Sequence, residues 1–76
     1  MRERVVQVMA ATFGIDESAI PDNATMGLTT NWDSLRQLNL VLALEDEFGV
    51  SFGDDEVGDM VSLPLILAAL QKKNAT

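Results

Sequence analysis

The chain contains no cysteine, no histidine and no tyrosine. Without cysteine there is no disulfide framework and no thiolate metal site. Without histidine, a Ser-His-Asp triad, a Cys-His pair, a zincin centre and a histidine base are all excluded. Covalent chemistry on such a chain is either done to it by another protein or rests on carboxylates. Aromatics are scarce as well, one tryptophan and three phenylalanines. The apolar residues are instead mostly Ala, Leu, Val, Ile and Met, which suits packed helices better than sheets. Positive charge is the third shortage: five Lys and Arg stand against twelve Asp and Glu, for a net charge of -7. Nucleic acid and anionic membrane surfaces are therefore poor partners, and a basic protein surface is the natural complement. A long apolar run is missing too. The longest nearly uncharged stretch, Met60 to Gln71, is too short to span a bilayer and contains Pro64. The N-terminal MRERVVQV mixes charges with apolar residues, unlike a signal peptide, so a cytoplasmic protein is expected.

What is present is 76 residues with 47% hydrophobic content, enough for one compact domain spanning 1–76. Val5, Val6, Met9 and Phe13 recur at helical spacing and predict a helix over Arg2 to Phe13, stopped by Gly14. Ile15 to Asn31 has the Pro, Gly, Thr and Asn content of a loop, with a helical turn expected at Asp16 to Ala19. Ile15, Ile20, Met26 and Leu28 are expected to peg it to the core. Its length for so small a domain points to a functional loop or one with packing of its own. A second helix is predicted over Ser34 to Phe48, with Asp33 or Ser34 as its cap and Gly49 as its stop. A short helix follows from Asp54 to about Met60, with acids in its first turn. Ser62 caps a last helix with Leu63, Ile66, Leu67 and Leu70 as its buried stripe, Pro64 in its first turn and Lys72 and Lys73 near its end. The last three residues are expected to fray. The fold class is all-α: three longer helices and one short one, in a small four-helix bundle with a long first loop.

The second helix carries more apolar surface than a bundle needs. At roughly 100° per residue, Leu40, Val41, Leu44 and Phe48 form one core face. Leu35, Leu38 and Leu42 form a second group turned away from it, and the two together cover roughly 220°, where a surface helix needs little more than 100°. Either this helix is buried on several sides, or the second group is exposed for docking or lines a cavity. At its start stands a lone serine, Ser34. Free N–H groups and the dipole at a helix N-terminus favour a negative group, so a phosphate ester there would be well placed; an ordinary capping serine fits the same position.

The motif D-S-L at residues 33–35, an apolar helix ending LEDEFG, a Pro/Gly/Thr loop before it and an acidic turn with a short helix after it together resemble the acyl carrier protein family. The resemblance covers Arg2 to about Leu70, and it implies the following. Ser34 receives a phosphopantetheine arm from coenzyme A, transferred by a separate magnesium-dependent phosphopantetheinyl transferase. The arm ends in a thiol that carries acyl or aminoacyl cargo as a thioester, so a chain without cysteine borrows its thiol, and partner enzymes supply the catalysis. The partners would be a loading ligase and downstream enzymes of fatty-acid, polyketide or other specialised biosynthesis, and the carrier itself would be a monomer and not an enzyme. Asp33 helps orient the site. Leu35, Leu38 and Leu42 match contact positions along the second helix, while Met60 and Val61 match the region of the short helix that faces the arm. Glu45, Asp46, Glu47 and Asp54 to Glu56 match an acidic recognition surface.

The chain departs from the family's primary fatty-acid carriers beside the serine. Trp32 stands where a small residue is usual, and Arg36 and Asn39 where acids often stand. Trp32 is either a packing anchor for the loop or part of the surface that flanks the arm and meets partners. The departures point to a discrete carrier of a specialised pathway. The main alternative is an unmodified helical adaptor that docks partners through the same apolar surface. A calcium loop fails on spacing, because DDEVGDMVSLPL places glycine fifth and leucine twelfth. A carboxylate-dependent enzyme would need a buried acid pair that the pattern does not suggest. Cargo fit is expected to depend on how Leu38, Leu42, Met60 and Ile66 pack.

Overall fold

The computed structural model describes residues 1–74. These form α1 (Arg2–Phe13), a 3-10 turn (Glu17–Ala19), α2 (Ser34–Phe48), α3 (Asp54–Asp59) and α4 (Leu63–Asn74). The chain is mostly helical, at 64%, and no strand occurs among the described residues, so the all-α class holds. Among the described residues no helix is long and apolar enough to cross a membrane. Of the three terminal residues expected to fray, Asn74 closes α4 and the other two lie outside the described residues.

Helix ends follow the local chemistry. Gly14 and Gly49 stop α1 and α2 with φ of 69° and 65°, a left-handed conformation that costs a Cβ-bearing residue roughly 1 kcal/mol or more. At each stop one carbonyl, Ala10 or Glu45, accepts the N–H groups of the glycine and of the residue after it. Ser62 accepts from the Leu65 N–H at 3.3 Å and caps α4. α3 is the exception: none of its residues is buried. It is held at its start by the Glu56 carboxylate, which reaches back to the Gly53 N–H at 3.0 Å and also accepts from Lys73 of α4 at 2.9 Å.

One cluster forms the core. It joins Val5, Val6, Met9, Ala10 and Phe13 of α1, Leu40, Val41 and Leu44 of α2, and Leu63, Ile66 and Leu70 of α4. The α1–α2 contact is extended by Arg4, whose guanidinium donates to the Glu47 carboxylate at 2.8 Å and lies 4.7 Å from the centre of the Phe48 ring. Leu67, expected in the α4 stripe, is only partly buried.

The long first loop is bound in by its main chain. Met26 N–H donates to the Val61 carbonyl at 2.8 Å and Leu63 N–H to the Ala24 carbonyl at 2.8 Å, around a bridge between Thr25 and Ser62. The loop thus runs against the α3–α4 link, and its polar groups are paired rather than left dry. The expected peg Ile20 is buried, and Ile15 and Met26 are partly so. Leu28 is not a peg, being 89% exposed. It sits at the tip of a turn in which the Leu28 and Thr29 N–H groups both donate to the Thr25 carbonyl, next to Gly27 at φ 90°. Ala24 and Trp32, each 1% exposed, hold the loop instead.

The Glu56 contacts give the fold a pH dependence. First the Gly53 N–H and then the Lys73 ammonium favour the ionised carboxyl and hold its pKa below the usual range. A folded-state pKa depressed below the unfolded value adds stability that is present above about 4.3, the ordinary glutamate value, and is lost as pH falls through the folded value. Melting of Glu56→Gln against the parent is therefore expected to show a deficit at neutral pH that shrinks as the pH drops below about 4. A deficit independent of pH would place the effect in packing rather than charge.

Candidate functional site

Ser34 is exposed and is the first residue of α2. Its hydroxyl makes no hydrogen bond to any described residue. Asp33 precedes it with extended backbone and caps the helix: its Oδ1 accepts the Arg36 N–H at 2.9 Å. Its second oxygen lies 3.4 Å from the Arg36 guanidinium. The cap takes up one donor of the first turn, leaving the N–H groups of Ser34 and Leu35 pointing out of the helix start, where the dipole is positive. The start of a helix in general favours a negative group.

The turn before Ser34 is set by Asn31 and Trp32. Asn31 adopts a left-handed φ of 63°, which its short polar side chain tolerates, and its amide donates to the Phe13 carbonyl at 2.9 Å. Trp32 is 1% exposed and stacks on Phe13, with ring centres 5.5 Å apart and planes 30° apart. Its place is the core, and the reading of Trp32 as part of a partner or cargo surface is corrected: the indole is the anchor of the loop. The indole N–H donates to Gln37 Oε1 at 2.7 Å, and Gln37 Nε2 donates in turn to the Met60 carbonyl at 2.7 Å. Gln37 is thus a buried polar tie between the loop, α2 and the end of α3. It was not among the candidate residues expected from the sequence. Its signal was its position, since at roughly 100° per residue Gln37 falls in the same row as Leu40, Val41 and Leu44.

The second apolar group of α2 lies on the solvent side. Leu35, Leu38 and Leu42 are 70%, 59% and 64% exposed, on the far side of the helix from the buried row. This decides between the two readings of the over-apolar helix: α2 is not buried on all sides. Three large leucines in one exposed row, starting beside an exposed serine, form a contiguous apolar surface of the kind that marks interaction sites.

Other expected surface residues divide. Asp46, Asp54 and Asp55 are exposed. Glu47 is exposed as well and Glu45 half-buried, and both also make bonds within the fold. Glu45 accepts the Phe52 N–H at 2.8 Å and ties the link to α2, while Glu47 pairs with Arg4. Met60 and Val61 are not on the short helix, because α3 ends at Asp59. Met60 is buried, and the Val61 carbonyl is bound to the loop. A cavity of about 200 Å³ lies between α3 and α4 and has Met60, Leu65, Ala68 and Ala69 among its walls. No α2 residue lines it, and of Leu38, Leu42, Met60 and Ile66 only Met60 takes part. Leu38 and Leu42 project outward, and Ile66 is sealed in the core.

Among the described residues no group of three or more carboxylates is placed to hold a metal ion. No protein-family model matches the chain.

Proposed function

We propose that this chain is a carrier protein of the acyl carrier protein type, modified on Ser34 with phosphopantetheine and serving as a substrate of other enzymes. One observation carries the reading: the exposed, uncommitted Ser34 hydroxyl stands at the capped start of α2, beside an outward row of three leucines. The residues fit the group. The helix start accommodates a phosphodiester anion, and the leucine row offers apolar contact to an arm and to the proteins that handle it. When bound, the group supplies a terminal thiol on which acyl or aminoacyl cargo rides as a thioester.

Each residue then has a task. Ser34 oxygen forms the bond to phosphorus as the pyrophosphate linkage of coenzyme A breaks and the adenosine bisphosphate leaves, with the hydroxyl proton passing to the transferase. Asp33 fixes the first turn, so that the serine is presented at a constant angle. Trp32, through Phe13 and Gln37, holds the loop that leads into it. The exposed leucines meet a loading ligase and later enzymes of a fatty-acid, polyketide or other specialised pathway.

Because the chain has no cysteine, its own thiol count is zero. Incubation with coenzyme A, magnesium and a broad-specificity phosphopantetheinyl transferase, followed by removal of small molecules, is expected to raise it to one thiol per chain. A folded protein that stays without thiol, while a known carrier gains one, would contradict the proposal and favour the adaptor that docks partners without modification.

A further inference from the structure

The cavity between α3 and α4 has an apolar lining of Met60, Leu65, Ala68 and Ala69, with Glu56, Asp59 and Lys72 around it. Leu65 and Ala68 are exposed, so it opens to solvent. Its volume of about 200 Å³ exceeds the roughly 150 Å³ of a cavity that takes one benzene ring. It therefore has room for a branched aliphatic group but not for a long chain. Met60 ties it to the serine. The Met60 carbonyl accepts from Gln37 Nε2 at 2.7 Å, and Gln37 stands in α2 one turn after Ser34. With one glutamine side chain and one helical turn added, this wall lies within roughly 15 Å of Ser34. An extended phosphopantetheine arm spans that distance.

The charges at the mouth are not balanced alike. Glu56 is committed: it accepts from the Gly53 N–H and from Lys73, and Lys72 adds to the positive field around it. Asp59 is exposed, and its carboxylate bonds to no described residue. It is also the last residue of α3, where carbonyls without helical donors favour a cation and disfavour an acid. Helix stability does not account for it. A cation brought to this side of the mouth meets the Asp59 carboxylate and the carbonyl end of α3 together. An apolar floor with one uncompensated carboxylate at its edge suits a small aliphatic group that bears an ammonium.

We propose that this cavity holds the side chain of an aminoacyl cargo, an aliphatic residue of the size of leucine, with its ammonium paired to Asp59 and its thioester outside. The inference rests on the carrier reading above and selects aminoacyl over plain acyl cargo. An aminoacyl thioester keeps a free ammonium, because only its carboxyl group is esterified; a plain acyl group offers the apolar branch alone. Weak binding is sufficient, since a tether at Ser34 holds the cargo at an effective concentration on the order of millimolar.

The probe is the chain carrying on Ser34 an arm whose thiol is replaced by an amine, acylated with leucine or with isocaproate, which is leucine without its amino group. A broad-specificity transferase attaches both arms from the corresponding coenzyme A analogues. Proton NMR reads the contacts of the isobutyl group with the methyls of Met60, Ala68 and Ala69. In the parent the leucyl contacts are expected to be roughly two- to fivefold more populated than the isocaproyl ones. The difference should fade at about 1 M salt, where the screening length is about 3 Å. Asp59→Asn should bring leucyl down to the isocaproyl level, and Ala68→Met, which fills the mouth from an exposed position, should displace both. Thermal melting establishes that the variants are folded, and the two cargoes and the salt series decide the matter on the parent alone. Equal contacts for the two cargoes, a leucyl preference that survives Asp59→Asn or high salt, or no contact with these methyls overturns this inference alone. If Ser34 accepts neither arm beside a working control carrier, the carrier reading fails and takes the inference with it.

Discussion

Trp32→Ala is expected to be the most damaging substitution in the chain, lowering stability by about 3–5 kcal/mol. The indole is fully buried, stacked on Phe13, and bonded at its N–H to Gln37. Truncation removes its apolar burial, leaves a cavity between the loop and α1, and strands the Gln37 oxygen. A chain of 76 residues has a total stability on the order of 4–11 kcal/mol. The loss should therefore lower the melting temperature by roughly 15 °C or more, with a substantial unfolded fraction at ambient temperature. Thermal and urea unfolding would check this. Trp32→Phe keeps most of the ring packing and loses only the N–H, so it should cost markedly less. A Trp32→Ala variant that melts near the parent temperature would mean the loop before Ser34 is held by something other than the indole.

Gln37→Leu ranks second, at about 2–4 kcal/mol. Leucine matches the apolar row it would join, and by hydrophobicity alone the change should help. The opposite is expected, because the side-chain amide satisfies two buried groups at once, the Trp32 N–H and the Met60 carbonyl, each at 2.7 Å. Removing one partner leaves the other group desolvated and unpaired, which costs about 1–3 kcal/mol for each. The pairing itself can be isolated. Trp32→Phe combined with Gln37→Leu deletes donor and acceptor together, so the double variant should be destabilised by less than the sum of the two singles, by about 0.5–3 kcal/mol. Strict additivity in equilibrium unfolding would deny the coupling.

These two residues also mark where sequence stops being sufficient. The boundaries of α1 and α2 were legible because their ends are written in neighbouring residues: glycine at each stop and Asp33 at the start of α2. The outward leucines were legible as a surplus over one core stripe, although periodicity alone left open whether a neighbour covers them. Gln37 was missed because a polar side chain in an apolar row signals exposure, unless its partners 5 and 23 residues away are known. The same distance problem hid the pairing of the exposed Glu47 with Arg4, 43 residues apart. Leu28 failed the other way, since its hydrophobicity suggested a peg while the turn around Thr25 turns it outward. Local chemistry predicts local structure well; long-range pairing decides which polar groups are inside and which apolar ones are out.

For the candidate site, the serine and its cap were readable from three adjacent residues, whereas the fixed loop behind them was not. That loop is held by main-chain bonds from Ala24 and Met26 to the α3–α4 link, and any residues other than proline at the donating positions could make them. In the proposed carrier reading, those main-chain bonds set the place from which one hydroxyl is presented to other enzymes.

The central claim is that Ser34 is an attachment point, and intact mass tests it most directly. The parent chain and Ser34→Ala are incubated in parallel with coenzyme A, magnesium and a broad-specificity phosphopantetheinyl transferase. The account predicts that the parent gains the mass of one phosphopantetheinyl group and Ser34→Ala gains none, with both remaining folded. An unchanged parent beside a working control carrier, or an equal gain on both chains, would contradict it.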